Sequence, residues 1–469
     1  MFRSRLARAL STTGGLALGL GFSALVVSEA QAQAKPKPPP PPTPSEEVAA
    51  VAIPEPLADA EAIVAEIASE PLTVVEAIMA EIASLRVLAS STDAGTRWRT
   101  NGCRTGPLVL VGTGGGSDSV YAYRVAPDHA SIMPVGIALK VGTNPSFIAQ
   151  AKSGGVVYVA SEGCVTAVAV EPHEPALRLL GDAQASEGAG TSHCSLDAGG
   201  LHVLAANYIG GSVCVLPIEE DGSVGAAIDS KHHAGAGTFL DRQEAAHPHS
   251  IRVDPWGGTW AFVPDLGLDT LFVYAYNSIQ GVLAGTNSDT RHWRAPKGAG
   301  PRHIAFSPLS RPEHLVYALN EMHGTVSVLS HNDSSGALTE KQTVSLLPPD
   351  VNTTRQGHTG SAEIAMHPSG KFVYASNRQN HSISVMSVSE STGLLTLHAN
   401  VPSGGKTPRH FQISPAGDYL IVGNQSSNNI ATFTIDKNSG LLSEPTITAM
   451  PQSPRCICIL DDADAPLKL

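Results

Sequence analysis

The stretch GPRHIAFSPLSRPEHLVYALNEMHGTVSVL, residues 300–329, contains three short runs in which apolar residues alternate with other residues. The runs Ile304–Phe306 and Leu315–Leu319 are separated by a Ser-Pro turn signal, and Val326–Leu329 follows a His-Gly break. Alternation with a period of two residues, interrupted by turn residues, is typical of antiparallel strands joined by hairpins. The stretch therefore predicts three consecutive antiparallel strands.

A hairpin also brings two separate parts of this stretch together. The beginning of its first strand lies beside the end of its second strand. Arg302 and His303 are therefore predicted to lie at the same edge of the sheet as Asn320 and Glu321. A cation and a carboxylate would meet at that edge.

The same unit recurs along the chain. Segments like its first strand begin near residues 145, 192, 248, 301, 361, 408 and 454. Segments like its second and third strands begin near residues 108, 156, 201, 259, 315, 372 and 419. Seven copies about fifty residues apart match the period of a four-stranded propeller blade. The offset between the two series is expected when the last strand closes the ring by pairing with the first blade.

The sequence therefore predicts an all-β, seven-bladed β-propeller over residues 101–469. Its content of 45 Gly and 34 Pro fits an all-β protein with many turns. A net charge of −12 argues against a nucleic-acid partner. We expect a monomer, in which residues 219–246, 277–299 and 339–360 form surface loops that could cover the channel.

The N-terminal region predicts three further segments. Residues 1–33 are interpreted as a targeting segment, because three arginines precede an apolar run and the sequence Ala-Gln-Ala resembles a cleavage site. A secretory signal, leading to secretion or the periplasm, and a plastid or mitochondrial transit peptide both fit. The apolar run is too short to span a membrane, and no other stretch is as long, so no membrane span is expected in the mature protein. Residues 34–44 are interpreted as a Pro-rich linker and residues 45–100 as an acidic, partly helical appendage.

Three short motifs are interpreted as structural. Gly112–Gly116 (GTGGG) has no following Gly-Lys-Ser/Thr and is expected to be a loop. Cys456-x-Cys458 lacks the second cysteine pair of a zinc site, and His247-Pro248-His249 lacks a carboxylate-rich partner motif. No metal site is predicted.

If the seven blades are equivalent, one mouth of the channel collects fourteen side chains. The positions at the start of the first strands are Ser146, His193, His249, Arg302, Ala362, Arg409 and Arg455. The positions at the end of the second strands are Thr113, Glu162, Tyr208, Leu266, Glu321, Arg378 and Gln425. Arginine binds carboxylate or phosphate in a two-pronged geometry and stays charged, so the mouth is predicted to bind an anion. The alternative is that these residues form salt bridges between blades.

Several motifs together resemble a known family. The segments HPHSIRVDP, GAGPRHIAFSP, LVYALNE, SAEIAMHPSGKFVYASNR and KTPRHFQISPAGDYLIVGNQ resemble the propeller-type lactonases. That family includes bacterial 6-phosphogluconolactonases and fungal carboxymuconate lactonising enzymes. The resemblance covers roughly residues 108–460. The chain departs from the pattern in an insertion near Arg311, in weak early blades and in its N-terminal appendage.

The resemblance implies a catalytic set of His249, Arg302, Glu321 and Arg378. We expect further contacts with the substrate from His193, His303, Asn320, Asn377, Arg409 and Gln425. The substrate would be a small anionic lactone, and no cofactor or metal is required. Glu321 or His249 would activate water, Arg302 would stabilise the oxyanion, and Arg378 and Arg409 would bind phosphate or carboxylate.

Three functions remain open from the sequence. The first is hydrolysis of 6-phosphogluconolactone in the oxidative pentose phosphate route, which the resemblance favours. The second is cycloisomerisation of a muconate, and the third is a propeller that binds without catalysis. A secretory signal would count against the first, because its phosphorylated substrate is intracellular.

Overall fold

The structure is a computed structural model, and it describes residues 106–152, 154–171, 176–285, 291–348 and 360–460. The predicted targeting segment, linker and appendage lie outside these residues. Within them, no helix has the length and apolar character needed to cross a bilayer.

The described chain forms seven antiparallel sheets arranged as propeller blades, which confirms the predicted fold. The strands of blades one to three are β1 (Leu108–Thr113), β2 (Ser119–Val125), β3 (Ile132–Lys140), β4 (Phe147–Gln150), β5 (Val156–Ser161), β6 (Cys164–Glu171), β7 (Ala176–Ala185), β8 (Thr191–Leu196), β9 (His202–Asn207), β10 (Ser212–Pro217) and β11 (Asp229–His232).

Blades four and five contain β12 (Arg252–Val253), β13 (Trp260–Asp265), β14 (Thr270–Asn277), β15 (Val282–Ala284), β16 (Trp293–Arg294), β17 (Pro301–Phe306), β18 (Leu315–Asn320), β19 (Thr325–His331) and β20 (Leu338–Ser345). Blades six and seven contain β21 (Ser361–Met366), β22 (Phe372–Asn377), β23 (Ser382–Val388), β24 (Leu395–Pro402), β25 (Pro408–Ile413), β26 (Tyr419–Asn424), β27 (Asn429–Thr434) and β28 (Thr446–Ala449). A 3-10 turn, Gln425–Ser427, follows β26.

The last strand, β29 (Pro454–Ile459), belongs to blade one. It pairs with β1 in antiparallel register, with Val109 opposite Ile459 and Val111 opposite Ile457. Blade one therefore takes its innermost strand from the end of the chain, as the offset between the two repeat series predicts. This pairing leaves no open edge where the ring closes.

The prediction of long surface loops was wrong in part. Residues 219–246 contain β11, residues 277–299 contain β15 and β16, and residues 339–360 contain most of β20. These are the outer strands of their blades. In β20 most side chains are exposed or half-buried, so this strand lacks the continuous apolar run that identifies the inner strands.

Neighbouring blades are joined by apolar packing and by a repeated tyrosine contact. The side chains of Leu315 and Tyr317 in β18 belong to the same buried cluster as Val373 and Ala375 in β22. The Tyr317 hydroxyl donates a 3.0 Å hydrogen bond to the carbonyl of Gly393 in the next blade. Tyrosines 158 and 374 make the equivalent bond to the carbonyls of glycines 222 and 440, at 3.1 and 2.6 Å. These bonds fix blade two against blade three, blade five against blade six, and blade six against blade seven.

A β-bulge at the start of the innermost strand positions the candidate site. In blade five Pro301 lies opposite Asn320 and His303 lies opposite Leu319, so Arg302 is the additional residue. The same shift occurs between Pro408 and His410, between Thr191 and His193, and at the start of β29. A bulge redirects the side chain of the additional residue, and here it places Arg302, Arg409 and Arg455 at the mouth of the channel.

Candidate active site

Arg302 lies at the centre of a buried cluster and is 3% exposed. One terminal nitrogen, Nη1, donates a 2.8 Å hydrogen bond to Glu321 Oε2 and a second hydrogen bond to His249 Nε2. Its Nε donates to the carbonyl of Ala362 at 2.7 Å. The predicted meeting of Arg302 and Glu321 across one hairpin is therefore present.

Glu321 is completely buried, and three arginines surround its carboxylate. Arg302 contacts Oε2, while Arg378 Nη2 and Arg242 Nη2 lie 2.8 and 2.6 Å from Oε1. Burial alone would raise the pKa of Glu321, but the charges of Arg378, Arg302 and Arg242 hold it well below its usual value. The carboxylate is therefore ionised and takes up protons poorly.

His249 lies beside this ion cluster and is 4% exposed. Burial and the Arg302 charge hold the pKa of His249 well below its usual value, so the imidazole is neutral. Since Nε2 accepts a hydrogen bond from Arg302, the proton of the neutral ring is assigned to Nδ1. That Nδ1 is buried and has no hydrogen-bond partner among the described residues.

The structure adds a member that the sequence analysis missed. Arg242 donates from Nη2 to Glu321 Oε1. It lies between Lys231 and His247, in a segment whose sequence has no regular periodicity, so no sequence signal indicates this contact. Its segment is fixed by buried Gln243, whose amide donates to Leu266 O and Asp269 Oδ1, both at 2.8 Å. Arg242 thus reaches Glu321 from a segment between blades three and four, whereas Arg302 belongs to β17 and Arg378 directly follows β22.

A second layer of side chains lies deeper in the channel. His303 Nδ1 is 2.8 Å from Glu363 Oε2, and His410 Nε2 is 3.3 Å from the same oxygen. The Phe147 ring lies 4.1 Å from the His193 ring and 5.1 Å from the His410 ring, between centroids. These residues directly follow the bulge positions in their strands. His303 and His193 were predicted from the sequence as substrate contacts, whereas Glu363 and His410 were not predicted as site residues.

The structure corrects two predicted rim positions by one residue. Ser192, not His193, is the additional residue of its bulge, so His193 belongs to the second layer. At the end of β1 the rim position belongs to Gly114, not to Thr113. The Gly114 N–H donates to the carbonyl of Ser453, just before β29, and the Glu321 N–H donates in the same way to the carbonyl of Gly300, just before β17. Bulges shift the register by one residue, and the repeat pattern does not reveal that shift.

Two predicted substrate contacts, Asn320 and Asn377, are completely buried and make hydrogen bonds within their own blades. The Asn320 amide nitrogen donates to Thr325 and Ser327, and the Asn377 amide nitrogen donates to Ser384 at 2.8 Å. These bonds join the second strand of a blade to the turn and strand that follow. The Oδ1 of Asn320 has no hydrogen-bond partner among the described residues, and contact of either side chain with the substrate stays a prediction.

The remaining predicted contacts lie at the mouth. Arg409 is the additional residue of the β25 bulge and is half-buried, and Gln425 opens the 3-10 turn on the same blade. Arg378 is 17% exposed and donates from Nε to Gly360 O at 2.7 Å. In the described part of the chain, no three His, Cys, Asp or Glu side chains are arranged to hold a metal ion.

Comparison with known proteins identifies the family. The family model for the seven-bladed β-propeller lactonases matches residues 108–460. The 6-phosphogluconolactonase of Bacillus subtilis is 34% identical over 303 residues, which cover 64% of this chain and 82% of that protein. The 6-phosphogluconolactonase of Formosa agariphila is 30% identical over 281 residues, which cover 58% of this chain and 75% of that protein.

A solved structure agrees with these relatives. The periplasmic gluconolactonase of Pseudomonas aeruginosa superposes with a TM-score of 0.69 at 27% identity, over 76% of this chain and 99% of that one. The matched residues include every strand of the propeller and the whole ion cluster around Arg302. The chain therefore belongs to the seven-bladed β-propeller lactonase family.

Proposed function

We propose that this protein hydrolyses a sugar lactone, and that its substrate is 6-phosphogluconolactone, the lactone of the oxidative pentose phosphate route. The observation that carries the proposal is the buried cluster of Arg302, Glu321 and His249 at the mouth of a lactonase-family propeller. The names of the relatives support lactone chemistry, and the arginines of the mouth support an anionic substrate.

Arg302 is suited to stabilise the oxyanion of the tetrahedral intermediate. Three of its five N–H groups bond to His249, Glu321 and Ala362. The two N–H groups on Nη2 have no partner among the described residues and can donate to the lactone carbonyl oxygen. Because the ion pair fixes the guanidinium in advance, little reorganisation is needed as negative charge develops on that oxygen.

His249 is the better candidate for the base that activates water. Both carboxylate oxygens of Glu321 are held by arginines, so neither is well placed to accept a proton from water. Nε2 of neutral His249 carries the lone pair of the ring, and a water molecule can replace Arg302 Nη1 as its hydrogen-bond partner while Nη1 keeps its bond to Glu321. A water molecule in that position could transfer its proton to Nε2 while its oxygen attacks the carbonyl carbon. Glu321 then acts as a positioning residue.

Arg378 and Arg409 are proposed to bind the anionic group of the substrate. Arg378 uses Nη2 for Glu321 and Nε for Gly360, which leaves Nη1 for a ligand. Arg409 has no ion pair or side-chain hydrogen bond within the described residues. Loss of binding shared by the ground state and the transition state raises KM, so Arg378→Met should act mainly on KM.

The test is acid release by the purified full chain from freshly generated 6-phosphogluconolactone, measured above the spontaneous rate. Glucono-1,5-lactone and cis,cis-muconate serve as the comparison substrates. We expect the native protein to hydrolyse the phosphorylated lactone and Arg302→Gln to abolish this activity. The control is Arg311→Gln, which should retain the activity, because Arg311 lies on the loop between β17 and β18 at the opposite end of the blade. Cyclisation of muconate without lactone hydrolysis would favour the cycloisomerase, and binding without turnover would favour a scaffold.

A further inference from the structure

Three of the innermost strands carry an arginine at their bulge. The residue that faces this arginine, at the end of the second strand of the same blade, is different in each of the three blades. The pairs are Arg302 with Glu321, Arg409 with Gln425 and Arg455 with Gly114. The equivalence rests on one repeated hydrogen bond: the N–H of Glu321, Gln425 and Gly114 donates to the carbonyl just before the strand, at 2.8, 2.9 and 2.9 Å.

Only the first of these arginines therefore has a carboxylate at the facing position of its own blade. Neither Arg409 nor Arg455 makes an ion pair or a side-chain hydrogen bond with any described residue. Burial and the charges of Arg302, Arg378 and Arg455 lower the pKa of Arg409 well below its usual value. A partly buried cation without a counter-ion is costly, and a bound anion would remove that cost.

The loop after β1 is built around Arg455. A Cβ on Gly114 would overlap Arg455 Nε and lie 2.6 Å from its Cδ, so only glycine allows the guanidinium to lie against this backbone. Gly115 is exposed, has a φ of +73°, and its N–H is not bonded to any described residue. The loop is anchored by hydrogen bonds from Thr113 to Ser117 at 2.7 Å and from Gly116 to Asn144 at 3.0 Å.

We propose that Arg455 and the backbone N–H of Gly115 extend the anion-binding pair Arg378 and Arg409 into a subsite for the phosphate group of a phosphorylated lactone. The charges of Arg378 and Arg455 both act on Arg409, so the three guanidinium groups lie close together. Guanidinium groups and a backbone N–H are donors that a phosphate dianion accepts. The Arg302 cluster on the next blades would act on the lactone ring. This inference rests on the proposed function and assigns its preference for a phosphorylated substrate to named residues.

Two carboxylates influence the arginines of this subsite: the Glu321 charge acts on Arg409, and the Glu162 charge acts on Arg455. Glu162 is exposed on the neighbouring blade, and its charge acts on Arg455 without forming an ion pair. Removing this charge should favour phosphate, while removing Arg455 should disfavour it. The two substitutions therefore change phosphate affinity in opposite directions.

The kinetic test compares kcat/KM for 6-phosphogluconolactone with kcat/KM for glucono-1,5-lactone. Arg409→Gln and Arg455→Gln should each lower this ratio by about ten-fold to a hundred-fold, the usual loss for one charged hydrogen bond. Gly114→Ala should lower it too, because it displaces Arg455 while keeping the charge. Glu162→Gln should not lower the ratio, and Arg311→Gln should leave it unchanged. Equal losses on both lactones would overturn the subsite.

A binding test separates this inference from the proposed function. Calorimetry with the full chain compares 6-phosphogluconate with gluconate, and turnover is not needed. The subsite is supported if the native protein prefers 6-phosphogluconate and Arg455→Gln loses that preference. This holds even if no lactone is hydrolysed, because absence of hydrolysis would contradict only the proposed function. Lactone hydrolysis with no such preference would sink only the subsite.

Discussion

Arg302 Nη1 and Glu321 Oε2 lie 2.8 Å apart in the interior of the channel mouth, although nineteen residues separate them in the chain. The bulge at Arg302 and the end of β18 bring them together. Because the pair is buried, it influences both the folding and the chemistry of this site.

Replacing Glu321 with Gln should lower both the stability of the fold and the activity of the site. The substitution leaves buried Arg302 without its counter-charge, and breaking one partner of a buried pair costs about 3–5 kcal/mol. We expect a lower free energy of unfolding, measured by chemical denaturation, and a large loss of lactone hydrolysis. The double variant Arg302→Leu/Glu321→Leu should recover part of the stability without recovering activity. Unchanged stability in Glu321→Gln would contradict a tightly coupled pair.

His249→Asn should reduce turnover while leaving product binding nearly intact. A general base contributes about two to four orders of magnitude to the rate, so kcat should fall by that amount. The pKa of His249 lies well below its usual value, so the native rate should stay level from pH 8 to 6.5 and fall only at lower pH. Steady-state assays across this range provide the measurement. A variant with near-native kcat would return the role of base to Glu321.

Arg242→Gln should lower activity with little effect on folding. Arg242 is 34% exposed, yet its Nη2 lies 2.6 Å from Glu321, so its loss removes one of the three cations that hold the carboxylate. We expect kcat/KM to fall by about ten-fold, with a Tm close to that of the native protein. Arg294→Gln, on the exposed edge of blade four, is the matched control. Equal activity in the two variants would show that Arg242 is only a surface contact.

The protein should lose stability as the pH falls below about 6.5. Burial lowers the folded-state pKa of His193, His249, His303 and His410, the last to about 4. The unfolded chain binds protons at these histidines from about pH 6.5 downward, whereas the folded chain does not. Unfolding therefore takes up protons, and the free energy of unfolding decreases as the pH falls.

The measurement is Tm by calorimetry from pH 8 to 5. Each buried histidine contributes up to about 1.4 kcal/mol per pH unit once the pH is below its unfolded-state pKa. His410→Gln removes one of these protons from the balance and should therefore reduce the dependence of Tm on pH. A Tm independent of pH over this range would mean that the channel histidines are charged in the folded state.

Removing residues 453–469 should prevent closure of the ring. This truncation deletes β29 and uncovers the β1 edge, where Val109 and Val111 are otherwise buried. We expect loss of the cooperative unfolding transition and aggregation of the product. Deletion of residues 1–100 is the control and should leave Tm unchanged, because every strand of the propeller lies between Leu108 and Ile459.

Sequence periodicity was sufficient for the number of blades, their order and the closing strand. Inner strands such as β18 are buried along their whole length, so their apolar pattern is strong. Outer strands such as β20 face solvent and carry no comparable pattern. The pairing of Arg302 with Glu321 could be predicted because hairpin geometry fixes which strand ends meet.

The rest of the site depends on features that periodicity does not encode. The bulge before His193 shifts that residue out of the rim. Arg242 reaches Glu321 through a segment fixed by Gln243, and only tertiary contacts specify that path. Asn320 has the same polar character as a ligand-binding residue, and its burial becomes evident only when the next strand is in place.

The pairing of β29 with β1 has a consequence for synthesis. Roughly 340 residues separate the two strands, so at ordinary translation rates tens of seconds pass between their appearances at the ribosome. During that interval the nascent chain carries an unpaired apolar edge at its first blade, while the later blades can already form. The ring therefore closes only after β29 has left the ribosome, and this one strand decides whether the blades made before it become a native propeller.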